Sequence, residues 1–156
     1  MKTLRLLPLL LLLGATAAHA QETLRDLFIA MPDSVLPLLT KVNREDCIDF
    51  VEAGMEARVS NRLGGTTTMD TLATDYLRLS YTAASTVELV LLPTTDSTAV
   101  VCLHHCVLIP EPDSHLRFYS TQWQPLPATA ELLTHPRLQA LEQHKATLTP
   151  KKVLEE

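Results

Sequence analysis

The residues with the clearest chemical potential lie together in one short stretch, Cys102-Leu103-His104-His105-Cys106. Thiolate and imidazole groups are the ligands that zinc prefers in proteins. On a helix, Cys102, His105 and Cys106 would share one face at positions i, i+3 and i+4 and would converge on one ion. On a strand, Cys102, His104 and Cys106 would share a face at a spacing of about 6.6 Å, and the next histidine would point away. The chemistry of the stretch therefore depends on its backbone.

The neighbouring residues favour a strand. β-branched side chains flank the stretch at Val100, Val101, Val107 and Ile109, and Pro110 follows. Because a strand cannot gather these ligands, no metal site and no cofactor is predicted, and the cysteines are interpreted as small core side chains. A metal- or redox-linked protein that uses Cys102, His104, His105 and Cys106 stays open as an alternative.

The three cysteines also raise the question of a disulfide. On a strand, Cys102 and Cys106 would lie roughly 13 Å apart, beyond the ~7 Å that a disulfide can bridge. Only Cys47, on the apolar side of a predicted helix, would be able to pair with one of them. Buried free thiols are the favoured interpretation, and a bridge from Cys47 to the sheet is the alternative.

No catalytic residue is predicted. Asp113, Ser114 and His115 are the residue types of a hydrolytic triad, but adjacent side chains on a strand point to opposite faces. The sequence contains no G-x-S-x-G, no H-E-x-x-H and no phosphate-binding glycine loop. An enzyme is therefore less favoured than a non-enzyme, with a small hydrolase as the remaining catalytic alternative.

Aromatic residues cluster near the end of the last predicted strand, at Phe118, Tyr119 and Trp123. An exposed aromatic ring there would anchor a partner, so Tyr119 and Trp123 are the candidate partner-binding residues. Packing in the core at the sheet edge is the favoured alternative.

The first twenty residues, MKTLRLLPLLLLLGATAAHA, have the form of a secretory signal. Lys2 and Arg5 precede a leucine-rich run, and Ala18-His19-Ala20 is a small-x-small cleavage pattern. We therefore expect an exported protein, periplasmic or extracellular, with no membrane insertion after cleavage. Removal of the signal takes away two basic residues and no acidic one, which makes an already acidic chain more so. This charge excludes nucleic acid as a favoured partner.

Residues 21–145 are predicted to form a single α+β domain, followed by a polar tail over 146–156. Thr23 is expected to cap a short helix that ends at Ala30, and Asn43 a second helix that stops near Gly54. Runs at 66–72, 75–82, 86–93, 98–109 and 115–120 predict an antiparallel meander of about five strands. Pro136 begins a short C-terminal helix that runs to about His144. The N-terminal helices are expected to pack on the sheet.

Three strings, MPDSVLPLLTKVNREDCIDFVEAGMEARVSNRLGG, DYLRLSYTAASTVELVLLP and DSHLRFYSTQW, resemble an uncharacterised family of small secreted Bacteroidetes proteins, known only as a domain of unknown function. The resemblance covers about residues 23–126. It implies an exported protein with helices first and a meander sheet after, and it implies no activity. The favoured hypothesis is an exported, non-catalytic module that binds a protein or another envelope component.

Overall fold

Over the residues that the structure describes, the fold is α+β, with two helices before a single antiparallel sheet and two short helices after it. It was obtained as a computed structural model that describes residues 23–94 and 98–147. The elements are α1 (Leu24–Ala30), α2 (Lys41–Glu52), β1 (Ala57–Ser60), β2 (Thr66–Leu72), β3 (Tyr76–Thr82), β4 (Ser85–Pro93), β5 (Ala99–Val107), β6 (Asp113–Ser120), β7 (Pro125–Leu126), α3 (Ala130–Leu133) and α4 (Pro136–Thr147). Of these described helices, none combines the length and the hydrophobicity needed to cross a bilayer.

The sheet is a meander of seven strands in the order of the chain, and each strand pairs antiparallel with the next. The five predicted strands correspond to β2 through β6, so the predicted number was too low by the two outermost strands. Those strands are four and two residues long, and β7 begins with Pro125. Alternation of apolar and polar residues is not recognisable over so few positions, and proline is itself a signal against a strand.

The start of α2 differs from the prediction. Asn43 is not the N-cap; Thr40 is, and the helix begins at Lys41. The Thr40 hydroxyl accepts a hydrogen bond from the Asn43 backbone at 3.1 Å, and Asn43 Oδ1 accepts one from the Thr40 backbone at 3.0 Å. This reciprocal pair is a capping box in which asparagine takes the place that Glu or Gln usually holds. By contrast, the predicted Thr23 cap and the first helix through Ala30 are confirmed.

The two faces of the sheet are covered differently. We call the face that packs under α1 and α2 the helix face; its buried side chains are Leu77, Leu79, Val87, Leu89, Leu91, Val101 and Leu103. We call the opposite one the α4 face; there Leu138 and Leu141 of α4 pack against Val90, Leu92, Val100, Cys102 and Phe118. Side chains alternate between these two faces along each strand, so residues two apart enter the same core and adjacent residues enter different ones.

A buried arginine fastens the segment between α1 and α2. The Arg44 side chain is only 1% exposed, and its guanidinium donates to Leu39 O at 2.9 Å, to Met31 O and to Asp33 Oδ1 at 3.0 Å. Asp33 also accepts from Arg62 at 2.8 Å. The irregular segment is thus held to the second helix through its own carbonyl groups.

Two further hydrogen bonds tie distant parts of the chain across the helix face. The Leu38 backbone donates to the Tyr81 hydroxyl of β3 at 2.9 Å. The Trp123 indole donates to Leu27 O of α1 at 3.0 Å. The first helix therefore takes part of its support from a residue that follows the sixth strand.

Candidate functional site

The Cys102–Cys106 stretch is a strand, as predicted: it lies in β5, next to the centre of the sheet. Cys102, His104 and Cys106 lie on the α4 face, and His105 lies on the helix face beside Tyr81. Within residues 23–94 and 98–147, no group of three or more His, Cys, Asp or Glu is arranged to hold a metal ion. The strand conformation from which the separation of these side chains was predicted is the conformation observed.

A polar cluster on the α4 face is centred on a buried acid–histidine pair. Glu88 of β4 lies directly opposite His104 of β5, and Glu88 Oε2 is 2.9 Å from His104 Nδ1. The two residues are 6% and 3% exposed. The other oxygen of Glu88 accepts from the Tyr76 hydroxyl at 2.6 Å and from Arg78 at 3.3 Å. One carboxylate therefore holds side chains from β3 and β5 together.

The surroundings of Glu88 keep it ionised. Burial by itself raises the pKa of a carboxyl group. Here the hydrogen bonds from His104 and Tyr76, together with the positive charge of Arg78, outweigh burial, and the pKa of Glu88 lies below its usual 4.5. The phenol of Tyr76 responds in the opposite direction, because burial and its bond to Glu88 raise its pKa to about 12. The charged carboxylate is thus a fixed part of the folded state.

A carboxylate on Nδ1 of a histidine is the orienting half of a catalytic triad. His104, however, is almost fully buried within its strand, and the cleft described below is lined by other residues. The triad residue types on β6 are separated as predicted, because the side chains of Asp113 and His115 lie on one face of the strand and that of Ser114 lies on the other. We therefore assign the Glu88–His104 pair a structural role on the α4 face.

The cysteines are buried on both sides of the sheet. Cys47 belongs to the core of the helix face and Cys102 to that of the α4 face, and Cys106 has the same parity as Cys102. No disulfide joins the cysteines that the structure describes. Because the sheet itself separates Cys47 from the other two, the alternative of a helix-to-sheet bridge is wrong. Burial raises the pKa of Cys47 and of Cys102 to about 12.

The partner-binding candidates Tyr119 and Trp123 are core side chains. They are 8% and 6% exposed, and their rings contact each other with centroids 5.5 Å apart. The indole N–H is already bonded to Leu27 O. At this position the structure offers no exposed aromatic anchor, and core packing, the alternative favoured on burial preference, accounts for both residues.

An open cleft lies between α4 and the adjoining strands on the α4 face, a site that the sequence did not reveal. Its volume is about 360 Å³, and it is lined by Asp75, Tyr76, Val90, Arg137, Ala140 and Leu141. Arg137 crosses one side of it, 2.6 Å from Asp75 Oδ2 and 3.3 Å from Leu91 O. The ring of Tyr76 links the cleft to the buried Glu88, since its hydroxyl donates to that carboxylate. We call this opening the α4 cleft.

Comparison with known proteins identifies the family. Residues 15–154 match a family described as "Protein of unknown function (DUF3256)". A solved domain of an uncharacterised protein from Porphyromonas gingivalis is similar over 81% of this chain and 70% of its own, with 31% identity and a TM-score of 0.57. No curated protein matches. The chain therefore belongs to the DUF3256 family, and the organism of the solved relative agrees with the predicted Bacteroidetes resemblance.

Proposed function

We propose that this DUF3256 member is an exported, non-catalytic module of the cell envelope that binds an apolar side chain of a partner protein in the α4 cleft. The observation that carries the proposal is the lining of the cleft. Its walls are the ring of Tyr76 and the aliphatic side chains of Val90, Ala140 and Leu141, and its charged groups are Asp75 and Arg137. Apolar walls with a few fixed polar groups are typical of binding sites.

The wall of the cleft is held in place before any partner arrives. Tyr76 is fixed by its hydrogen bond to Glu88, which is in turn bonded to His104 of the next strand. Leu141 is buried against the sheet, and Arg137 is held by Asp75. Such pre-organisation favours binding, because fewer side chains lose conformational freedom when a partner docks.

The chemistry at the cleft supports binding over catalysis. A small hydrolase would need a nucleophile and a base that face an opening together. The Glu88–His104 pair is buried, and the pKa of Tyr76, the titratable group that joins the cleft to it, is raised to about 12. Among the residues that line the cleft there is no serine, cysteine or histidine.

The charge of the chain favours a protein over a lipid as the source of the apolar group. The formal net charge is −5, and the predicted removal of the signal makes it more negative. An acidic protein is repelled by the anionic surface of a membrane. A polypeptide partner also supplies backbone amide and carbonyl groups, which are able to pair with Asp75 and Arg137 at the cleft.

Two experiments test the proposal. The first is N-terminal sequencing of protein recovered from the periplasm and medium, which is expected to show a mature chain that begins at Gln21. For binding, a photo-crosslinking amino acid is placed at Ala140, which lines the α4 cleft, and as a matched control at the neighbouring exposed Gln139 of the same helix. Irradiation of living cells is expected to give one discrete protein adduct from position 140 and none from position 139.

Competition separates a specific adduct from chance proximity. Excess purified wild-type protein is expected to lower the yield of the adduct. An equal excess of an Ala140→Arg variant, in which a charged side chain fills the cleft, is expected to leave the yield of the adduct unchanged. Equal adducts from the two positions, or equal competition by both proteins, would contradict binding in the cleft. Recovery of the protein with residues 1–20 intact in the cytoplasm would contradict its export.

A further inference from the structure

The last long strand of the sheet has an open outer edge. β7 pairs with β6 only at Phe118 and Tyr119. Over residues 113–117, β6 has β5 on one side and, within the described part of the chain, no strand on the other. An open edge of this kind is a template for pairing with another chain.

Backbone geometry shows which groups point to this edge. Ser120 donates its N–H to Gln124 O at 2.9 Å, so Ser120 bonds toward the β7 side. The register of β6 with β5 is unbroken from Ser120 to Asp113, so Leu116 and Ser114, which share the parity of Ser120, direct their backbone groups the same way. The Ser114 N–H donates to Asp113 Oδ1 at 2.8 Å, and this side chain lies where a neighbouring strand would supply a carbonyl.

We propose that a second copy of this chain pairs with this edge, antiparallel, about a two-fold axis at His115. In this register Ser114 lies opposite Leu116 of the second copy. The two form a hydrogen-bonded pair when the Asp113 carboxylate releases the Ser114 N–H and turns to Arg117 of the second copy. The axis repeats that pair, which gives four backbone hydrogen bonds, and His115 faces His115 of the second copy. Main-chain pairing at a sheet edge is an established mode of recognition.

Charge complementarity selects this occupant and this register. Asp113 lies opposite Arg117 of the second copy, and the axis repeats this pair of opposite charges. Both side chains are exposed and on the same face of the strand. An axis at Ser114 would place Pro112, which has no N–H, opposite Leu116. An axis at Leu116 would place His115 opposite Arg117 and would run into β7.

The interface is short, so the association is expected to be concentration-dependent. Pro110 and Pro112 precede the open stretch and β7 begins beside its other end, which limits pairing to about five residues per copy. This inference does not depend on the proposed function, since the α4 cleft lies beside β3 and β4.

A charge swap tests the register. Sedimentation equilibrium of the purified full-length protein is expected to show a monomer–dimer equilibrium. Asp113→Arg and Arg117→Asp should each raise the dimer dissociation constant by about tenfold or more, because each places like charges opposite each other twice. The double variant, Asp113→Arg with Arg117→Asp, should return it to near the wild-type value. Glu111→Arg, an exposed charge change outside the paired stretch, is the control and should have little effect.

A crosslink provides an independent measurement. Across a two-fold axis at a non-hydrogen-bonded pair the Cα atoms lie about 4.5 Å apart, within the range of a disulfide. His115→Cys should therefore form a covalent dimer on mild oxidation, whereas Glu111→Cys should not. A monomer at every concentration, single variants without effect, a double variant that fails to recover, or equal crosslinking at both positions would overturn the proposal.

Discussion

Replacement of the buried Arg44 with Met should be among the most destabilising single changes in this protein. Methionine keeps much of the apolar stem but removes the guanidinium, which bonds to Asp33, Leu39 O and Met31 O. The two carbonyl acceptors belong to buried hydrogen bonds, and a bond to a charged donor contributes about 1.5–3 kcal/mol. Asp33 adds little, because it is 39% exposed and keeps its contact with Arg62.

The sum of these two hydrogen-bond contributions must be reduced, because burial of the guanidinium costs desolvation energy that the variant avoids. We therefore expect Arg44→Met to lower the free energy of unfolding by about 3 kcal/mol, and Arg44→Ala by about 5 kcal/mol because a cavity is added. Arg62→Met, which removes an exposed partner of the same Asp33, should cost less than about 1 kcal/mol.

Urea denaturation measures these differences. The single tryptophan, Trp123, is buried and contacts α1, so its fluorescence reports the unfolding of the segment that Arg44 fastens. If Arg44→Met and Arg62→Met cost the same small amount, the carbonyl groups of the segment do not depend on the guanidinium, and the reasoning is refuted.

The remaining predictions concern the α4 face and the thiols. The pKa of Glu88 lies below 4.5 in the folded state, so the ionised carboxylate stabilises the fold above pH 4.5 and this stabilisation is lost as the pH falls through the folded pKa. Glu88→Gln should therefore reduce the dependence of the free energy of unfolding on pH, measured by urea denaturation at about pH 3 to 5. Cys102→Ala should cost about 1 kcal/mol, and thermal melts with and without a strong chelator should superimpose; a chelator-dependent drop absent from Cys102→Ala/Cys106→Ala would restore the metal hypothesis. A thiol reagent at neutral pH should leave Cys47 and Cys102 unmodified in the native protein, because their pKa is raised to about 12, and should modify all three cysteines once the chain is unfolded without reductant; fewer would indicate a disulfide.

The architecture was largely readable from local signals. A threonine cap marked α1, and β-branched residues with period-two alternation marked the strands from β2 to β6. The start of α2 was misplaced, because Asn43 is as good an N-cap as Thr40 in isolation and only their mutual hydrogen bonds decide between them. β1 and β7 were missed because they are held by their neighbours in the sheet rather than by a pattern of their own.

The sites depended on register, which the sequence does not show. Glu88 was a signal in principle, as the one charged residue in a strand that is apolar from Val87 onward, but only the pairing of β4 with β5 places it opposite His104. The α4 cleft required the packing of Leu141 on the sheet, a contact between elements far apart in the chain. The sequence around Trp123 is compatible with a partner-binding position and with a core position, and the acceptor that fixes the indole in the core is Leu27 O in the first helix.

The bond between Trp123 and Leu27 has a consequence for the order in which the chain is completed. The first helix emerges from the ribosome before the strands, and the donor for its Leu27 carbonyl is ninety-six residues further along the chain. Contacts of such sequence separation form late, because a long loop must close before they contribute. A nascent chain that ends before Trp123 therefore lacks the contact that anchors its own beginning. For a protein that we expect to be exported, this arrangement delays the finished fold until synthesis has passed Trp123.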